Sequence, residues 1–179
     1  MPSLDATSAN RTMWKTKNHP QIIYIDIEEE LEYPPTKFMD CTNTDFEDNS
    51  IPVIWFDPPQ IVGGKKNGGI FAIPSKRVFD EKYPKYKQKH PRYYGADKFK
   101  DKGELMIFLN KSAKEFHRIL RDDGTLMVKW TEVVATTDAI IPLFDGFTEM
   151  MRIPIKSKHR TTRGSFWIVL MKSFGEEQP

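Results

Sequence analysis

A short apolar run that two prolines interrupt constrains the fold of this chain more than any other stretch. Residues 53–56 read Val-Ile-Trp-Phe, which is typical of a strand buried on both faces. Asp57, Pro58 and Pro59 end the run, because neither proline can donate a hydrogen bond to a neighbouring strand. Alone, the tripeptide would suit an ordinary turn, since Asp-Pro is a common turn opener. In an open α/β sheet it predicts a rigid, polar corner at the strand end where ligands bind.

Further apolar runs predict the elements on either side of this strand. An amphipathic pattern predicts a helix over residues 104–120, which residues 121–124 would end with a glycine stop. We expect short helices at residues 12–16 and 137–143, and strands at residues 1–4, 22–25, 37–39, 125–130, 147–155 and 165–171. This order predicts an α/β fold with a mostly parallel, doubly wound central sheet and a carboxyl-terminal antiparallel hairpin.

Length and composition predict a single domain over residues 1–179, with a long basic insertion at residues 61–103. No apolar run is long enough to span a membrane, and the amino terminus has no signal-peptide core, so we expect no membrane partner. Cys41 is the only cysteine, which excludes an intrachain disulfide and favours a reducing, cytoplasmic location. The histidines show no metal-ligand spacing, so we expect no metal site.

The formal charge of +2 is unevenly distributed along the chain. Residues 61–102 carry a net charge of +8, residues 151–172 carry +6, and the remaining residues are acidic. Two basic segments on an acidic body favour a polyanionic partner such as DNA or RNA. A solvated lysine-rich loop explains the charge about equally well.

Acids follow three of the predicted strands directly. Asp26 follows the strand at residues 22–25, Asp40 the strand at residues 37–39, and Asp57 the central strand. In a nucleotide-type crevice, the first of these carboxylates can accept hydrogen bonds from both ribose hydroxyls, and the second can reach an adenine amino group. Each acid alone would suit a capped loop. Their succession favours the crevice.

The turn after the first strand lacks the glycines that tight nucleotide-binding turns generally use. Residues 5–11 read Asp-Ala-Thr-Ser-Ala-Asn-Arg. Ala6, Ser8 and Ala9 are small enough for a ligand to approach the backbone, and Asn10 tolerates a left-handed conformation better than most residues.

These motifs together resemble a known family, the class I S-adenosylmethionine-dependent methyltransferases that modify amino groups in nucleic acid. Their signature is Asp/Asn/Ser-Pro-Pro followed by an aromatic residue, and residues 57–60 read Asp-Pro-Pro-Gln. The chain is similar to small phage and prophage DNA methylase-like proteins in several further motifs: residues 4–14, 17–20, 24–27, 48–50, 129–132 and 167–172. The resemblance implies the Rossmann-like class I methyltransferase fold and S-adenosylmethionine as cofactor.

The resemblance also implies a role for each motif. The catalytic corner would comprise Asp57, Pro58, Pro59 and Gln60, with the Asp57 carboxylate and the Pro58 carbonyl accepting hydrogen bonds from the amino group that is methylated. The cofactor would contact the first turn and the ends of two strands: Asp5, Ala6, Thr7, Ser8, Asn10, Arg11, Asp26, Ile27, Asp40 and Cys41.

The basic segments supply the expected substrate contacts. A nucleic-acid methyltransferase either flips its target base or takes unpaired substrate, and rings among lysines can stack on bases. Because Gln60 replaces the usual aromatic residue, Phe71, Tyr93 and Tyr94 are candidates for stacking on the base. The other expected substrate contacts are Lys82, Tyr83, Tyr86, Lys129, Trp130, Lys158, Arg160 and Arg163.

Three functions remain open at this point. The preferred one is transfer of a methyl group to an exocyclic amino group of a base in DNA or RNA. The second is a methyltransferase of the same fold that acts on protein or a small molecule. The third is a non-catalytic nucleic-acid-binding protein with a degenerate methyltransferase fold. The sequence predicts no oligomeric state.

Overall fold

One mixed sheet organises the computed structural model, which describes residues 1–62, 98–156 and 164–173. Within these ranges the sheet has seven strands in the order β3-β2-β1-β4-β5-β7-β6. The strands are β1 (Ser3–Asp5), β2 (Ile22–Asp26), β3 (Lys37–Phe38), β4 (Ile51–Phe56), β5 (Leu120–Thr131), β6 (Phe147–Pro154) and β7 (Ser165–Lys172).

Strands β1 to β5 pair in parallel, whereas β7 is antiparallel to both β5 and β6. The order 3-2-1-4-5 is that of the doubly wound nucleotide-binding sheets. The prediction of a Rossmann-like, mostly parallel sheet with a carboxyl-terminal antiparallel hairpin is therefore confirmed.

The main helix, α1 (Lys102–Ile119), connects β4 to β5 and covers one face of the sheet. Its Phe116 ring packs against Phe56 of β4 with ring centroids 4.8 Å apart. The helix that follows β5, α2 (Thr137–Ile140), continues as a 3₁₀ turn (Ile141–Leu143), as predicted, and contributes Ile140 to the same core.

One helix prediction and one helix-end prediction are wrong. Residues 12–16 form turns rather than a helix, and Lys17 Nζ donates hydrogen bonds to the carbonyls of Arg11 and Trp14 there. Helix α1 has no glycine stop, because its cap residue Leu120 is already extended and begins β5. Gly124 lies inside β5, where a side chain would collide with Leu120 at 2.8 Å.

Strand register assigns each strand residue to one of two faces. Ile54 and Phe56 of β4 pair with Leu126 and Val128 of β5 on the face that α1 covers. On the other face, paired positions form one row across six strands: Tyr24, Asp5, Trp55, Met127, Val169 and Met151. Both helices of the described ranges belong to the first face. Neither helix is long and apolar enough to cross a bilayer.

Candidate functional site

A cavity of about 540 Å³ opens at the carboxyl ends of the parallel strands. Its volume lies in the range of small-molecule and cofactor sites. The lining residues come from the first turn, the ends of β2 to β5, and the start of α1: Ala6, Thr7, Ser8, Ala9, Thr12, Met13, Asp26, Ile27, Glu28, Met39, Asp40, Cys41, Asp57, Pro58, Pro59, Gln60, Ile61, Lys98, Phe99, Phe108, Lys129, Thr131 and Val133. All three strand-end acids predicted from the sequence line this one cavity.

Asp26 links the end of β2 to the first turn. Its carboxylate accepts hydrogen bonds from the amides of Ala9, at 2.7 Å, and Glu28, at 2.9 Å. Burial raises the pKa of Asp26, and these backbone donors partly counteract that rise. Each oxygen keeps a further lone pair, so the carboxylate can also accept hydrogen bonds from vicinal hydroxyls.

The first turn has its backbone fixed on two strands. The Ala6 amide donates to the Trp55 carbonyl of β4, and the Ser8 amide donates to the Ile25 carbonyl of β2. Ala9 and Arg11, not Asn10, take the left-handed conformation, with φ of 40° and 52°. Such a conformation costs a non-glycine residue about 1–2 kcal/mol. The turn therefore stays tight without glycine because its hydrogen bonds hold it in that conformation.

Three of the predicted cofactor contacts do not line the cavity. Asp5 is fully buried, and its carboxylate accepts from Trp14 Nε1 at 2.7 Å. Asn10 is buried and accepts from the Glu32 amide. The Arg11 guanidinium lies 3.8 Å above the Tyr24 ring and donates to the carbonyls of Lys17 and Pro34. These residues support the turn from behind.

Cys41 and Asp40 line the far end of the cavity, together with Ile27. Burial raises the pKa of the Cys41 thiol to about 12, so it remains a neutral thiol. Its sulfur lies 3.7 Å from the Ser112 hydroxyl of α1. This end of the cavity is mainly apolar and offers the Asp40 carboxylate at its rim.

The Asp57 corner is held by contacts from three directions. Its amide donates to Thr7 Oγ1 of the first turn at 3.0 Å. Its carboxylate pairs with Lys129 Nζ of β5 at 2.5 Å and accepts from Gln60 Nε2 at 3.1 Å. Gln60 also spans to β5, where Nε2 donates to the Lys129 carbonyl and Oε1 accepts from the Thr131 amide. Burial raises the pKa of Asp57 above its ordinary value, and the charge and hydrogen bond of Lys129 offset only part of this rise.

Trp130 does not reach the cavity, in contrast to its predicted substrate contact. It is fully buried in the core on the α1 face, and its Nε1 donates to the Ala135 carbonyl. Its neighbour Lys129 does line the cavity, because successive strand residues point to opposite faces. The remaining predicted substrate contacts lie outside the described residues: Phe71, Lys82, Tyr83, Tyr86, Tyr93, Tyr94, Lys158, Arg160 and Arg163.

Sequence reasoning missed several lining residues, of which Phe99 and Phe108 are the most informative. Phe99 precedes α1 and Phe108 lies in its second turn, and their rings are 5.1 Å apart. Phe108 belongs to the apolar stripe of the helix, and that pattern cannot separate a core residue from one that borders a cavity at the helix end.

The described lining carries an excess of negative charge. Asp26, Glu28, Asp40 and Asp57 face the cavity, against Lys98 and Lys129. No arginine and no glycine belongs to this lining. In the described parts of the chain, no cluster of three or more histidine, cysteine or acidic side chains is suited to hold a metal ion.

Comparisons with known proteins give only distant likenesses. No protein-family model matches the chain, and no curated protein matches it. A solved structure from Sulfolobus solfataricus, described as a candidate type 11 methyltransferase, is 15% identical with a TM-score of 0.49, covering 99% of this chain and 87% of that chain. A structure from Pyrococcus horikoshii OT3 is 14% identical with a TM-score of 0.49, covering 84% of this chain and 70% of that chain. Function must therefore be argued from the site itself.

Proposed function

We propose that this protein is an S-adenosylmethionine-dependent methyltransferase that transfers a methyl group to an exocyclic amino group of a base in DNA or RNA. The observation that carries the proposal is that Asp26 and Asp57 face one cavity from the ends of β2 and β4, with the small-residue first turn beside them. That arrangement offers one carboxylate to a ribose and another to an acceptor amine.

The charge of the cavity favours a cationic nucleoside over a dinucleotide. A pyrophosphate needs backbone amides at a glycine-rich turn or nearby cations, whereas the described lining has four acids, two lysines and no glycine. S-adenosylmethionine supplies an electrophilic methyl group on a sulfonium, whose positive charge suits this lining.

Individual contacts fit the parts of that cofactor. The Asp26 carboxylate would accept hydrogen bonds from the ribose hydroxyls, and Ile27, Met39 and Phe108 offer apolar surface to a base beside Asp40. Ser8 Oγ is buried at the cavity wall and has no hydrogen-bond partner among the described residues. A buried hydroxyl of this kind is suited to a polar group of a ligand.

The Asp57 corner is suited to an amine acceptor. The lone pair of an exocyclic amino group is delocalised into its ring, so the nitrogen is a weak nucleophile. Hydrogen bonds to the Asp57 carboxylate and the Pro58 carbonyl would favour a pyramidal nitrogen and orient its lone pair toward the methyl group. The rigid Pro58-Pro59 backbone keeps those acceptors in place.

The nucleic-acid part of the proposal rests on charge. Residues 61–102 carry a net charge of +8 and connect directly to the Asp57 corner at one end and to α1 at the other. A positive segment that directly follows the Asp57 corner in the sequence suits contact with a phosphate backbone.

Incubation of the protein with labelled S-adenosylmethionine and separate pools of DNA, RNA and protein tests the proposal. We expect label in a nucleic-acid pool and an N-methylated base in nucleoside mass spectrometry. Label in the protein pool instead would show that the methyl acceptor is a protein and not a nucleic-acid base. Nucleic-acid binding without cofactor binding, judged by the absence of a thermal shift with S-adenosylhomocysteine, would leave a non-catalytic binding protein.

Two alanine variants separate the proposed roles. Asp57→Ala should abolish methyl transfer and retain the thermal shift with S-adenosylhomocysteine, because the carboxylate is assigned to the acceptor. Asp26→Ala should lose most of that thermal shift, because the carboxylate is assigned to the ribose. The reverse pattern would show that the two roles are misassigned.

A further inference from the structure

Lys129 and Asp57 meet because of strand register. Trp55 of β4 pairs with Met127 of β5. Asp57 lies two positions after Trp55, directly beyond the end of β4, and Lys129 lies two positions after Met127 on β5. Side chains two residues apart share a face, so the Asp57 carboxylate and the Lys129 ammonium point to the same side of two adjacent strands. Their closest atoms are 2.5 Å apart.

The ion pair is largely removed from solvent. The side chain of Lys129 is 29% exposed and that of Asp57 is 18% exposed. A lysine that contacts phosphate is usually extended into water, whereas this ammonium is directed inward onto a carboxylate. The geometry therefore differs from that of a nucleic-acid contact, which is the role expected of Lys129 from the sequence.

Gln60 fixes the same carboxylate from the other side. Its Nε2 donates to Asp57 Oδ1, while Lys129 Nζ donates to Oδ2. Each oxygen thus has one donor and keeps one lone pair for a substrate. Because Gln60 also bonds the backbone of Lys129 and Thr131, its amide cannot rotate without breaking three hydrogen bonds.

The state of this carboxylate matters for the proposed reaction. An ionised carboxylate only accepts hydrogen bonds. A protonated one carries an O–H donor in place of one of the acceptors that the amine's N–H groups need. Asp5 of β1 is the acid that interacts electrostatically with Asp57, and Asp26 at the end of β2, Glu28 and Asp40 line the same cavity. Lys98 is the other cation in the described lining, but Lys129 is the one paired with Asp57.

We propose that Lys129 is a positioning residue that favours the anionic form of the Asp57 carboxylate and aims it at the acceptor amine, with Gln60 fixing its rotation. This inference rests on the proposed methyl transfer for its catalytic consequence. The ion pair itself is testable without any activity.

The decisive measurement is the pKa of Asp57, which an NMR titration of protein labelled with ¹³C at the aspartate carboxyl groups gives. The Asp57 signal is assigned by its loss in Asp57→Asn. In Lys129→Met we expect that pKa to rise by about one unit or more, since an adjacent cation lowers a carboxyl pKa by roughly 1–3 units. Lys129→Arg keeps the charge and should keep the pKa near that of the original protein. An unchanged pKa in Lys129→Met would overturn the inference, whatever the activity.

Kinetics then test the catalytic consequence. In Lys129→Met the acidic limb of the kcat/KM profile should move to higher pH by the same shift as the Asp57 pKa. Lys129→Arg should largely restore the original profile. A loss of nucleic-acid affinity with an unchanged Asp57 pKa would make Lys129 a phosphate contact and contradict the inference.

If the pKa shift occurs but the original protein transfers no methyl group, the ion pair stands and the proposed function fails. Lys129→Gln provides a second neutral variant should the methionine variant fold poorly.

Discussion

The Asp5 carboxyl group has no exposed surface and lies in the middle of the sheet, on β1. Burial raises its pKa to about 7, even though Trp14 Nε1 and the Thr7 amide donate hydrogen bonds to it. The nearby carboxylates of Asp57 and Asp26 raise the pKa further. Asp5 therefore changes its charge within the physiological pH range.

This raised pKa makes the stability of the fold depend on pH. Between about pH 4 and pH 7 the folded state keeps a proton on Asp5 that the unfolded state has lost, so the free energy of unfolding falls as pH rises through this window. The loss reaches about 4 kcal/mol above pH 7 if Asp5 acts alone. Asp5→Asn should remove this loss of unfolding free energy. Its Tm at pH 8 should therefore be higher than that of the original protein, by about 2–4 °C for each kcal/mol of unfolding free energy regained.

Thermal unfolding of Asp5→Asn and of the original protein at pH 5 and pH 8 checks this expectation. Asp123→Asn is the matched control, because Asp123 is exposed and pairs with Arg121 at the surface. Equal pH slopes for Asp5→Asn and the original protein would contradict the assignment of the slope to Asp5.

At the scale of the element, the start of α1 depends on a reciprocal cap. Asp101 accepts from the Glu104 amide at 3.1 Å, and Glu104 accepts in turn from the Lys100 amide at 2.6 Å. We expect Asp101→Ala to lower the free energy of unfolding by about 1 kcal/mol, since helix amides then lose their acceptor. Asp101→Asn should cost far less. Urea unfolding compares the two variants, and equal costs would show that the cap contributes little.

The connection between β3 and β4 has no helix, and an arginine of α1 holds it instead. Arg118 donates to the carbonyls of Thr44 and Phe46 and pairs with Asp48 and Glu115. Arg118→Met should reduce stability by about 1–3 kcal/mol, because the two carbonyls lose a charged donor.

Arg121→Met is the matched control for this prediction, since Arg121 pairs with the exposed Asp123 and such surface pairs contribute about 0–1 kcal/mol. Chemical denaturation compares the two variants. A similar loss in both would mean that the connection is held by other contacts.

At the scale of the whole molecule, the doubly wound sheet and the gathering of strand-end acids follow from sequence patterns. Parallel strands bring their carboxyl ends to one edge, so Asp26 and Asp57 become neighbours once the order of elements is predicted. The sequence could not assign positive φ to Ala9 and Arg11, because those conformations depend on hydrogen bonds to distant strands. The pairing of Lys129 with Asp57 likewise depends on register between strands 72 residues apart in sequence.

The charge asymmetry of the chain leads to a prediction about salt. Changing Lys82, Lys85 and Lys87 to glutamate should weaken nucleic-acid binding and make it less dependent on salt. The slope of log binding constant against log salt concentration should become shallower by about 0.9 for each phosphate of duplex DNA that the protein no longer neutralises. Fluorescence anisotropy at several salt concentrations measures this slope. Lys111→Glu and Lys114→Glu on the exposed surface of α1 serve as controls. Binding that is equally weakened by the controls would show only a general effect of net charge.

The hydrogen bond from the Asp57 amide to Thr7 Oγ1 joins the two halves of the cavity. A nucleoside that immobilises the first turn would also restrain the peptide group that carries the acceptor carboxylate. The exchange rate of the Asp57 amide proton with deuterium would therefore report the binding of such a nucleoside from a distance, before any acceptor is added. An ordered reaction, with the small ligand entering first, is the kinetic behaviour that such a coupling favours.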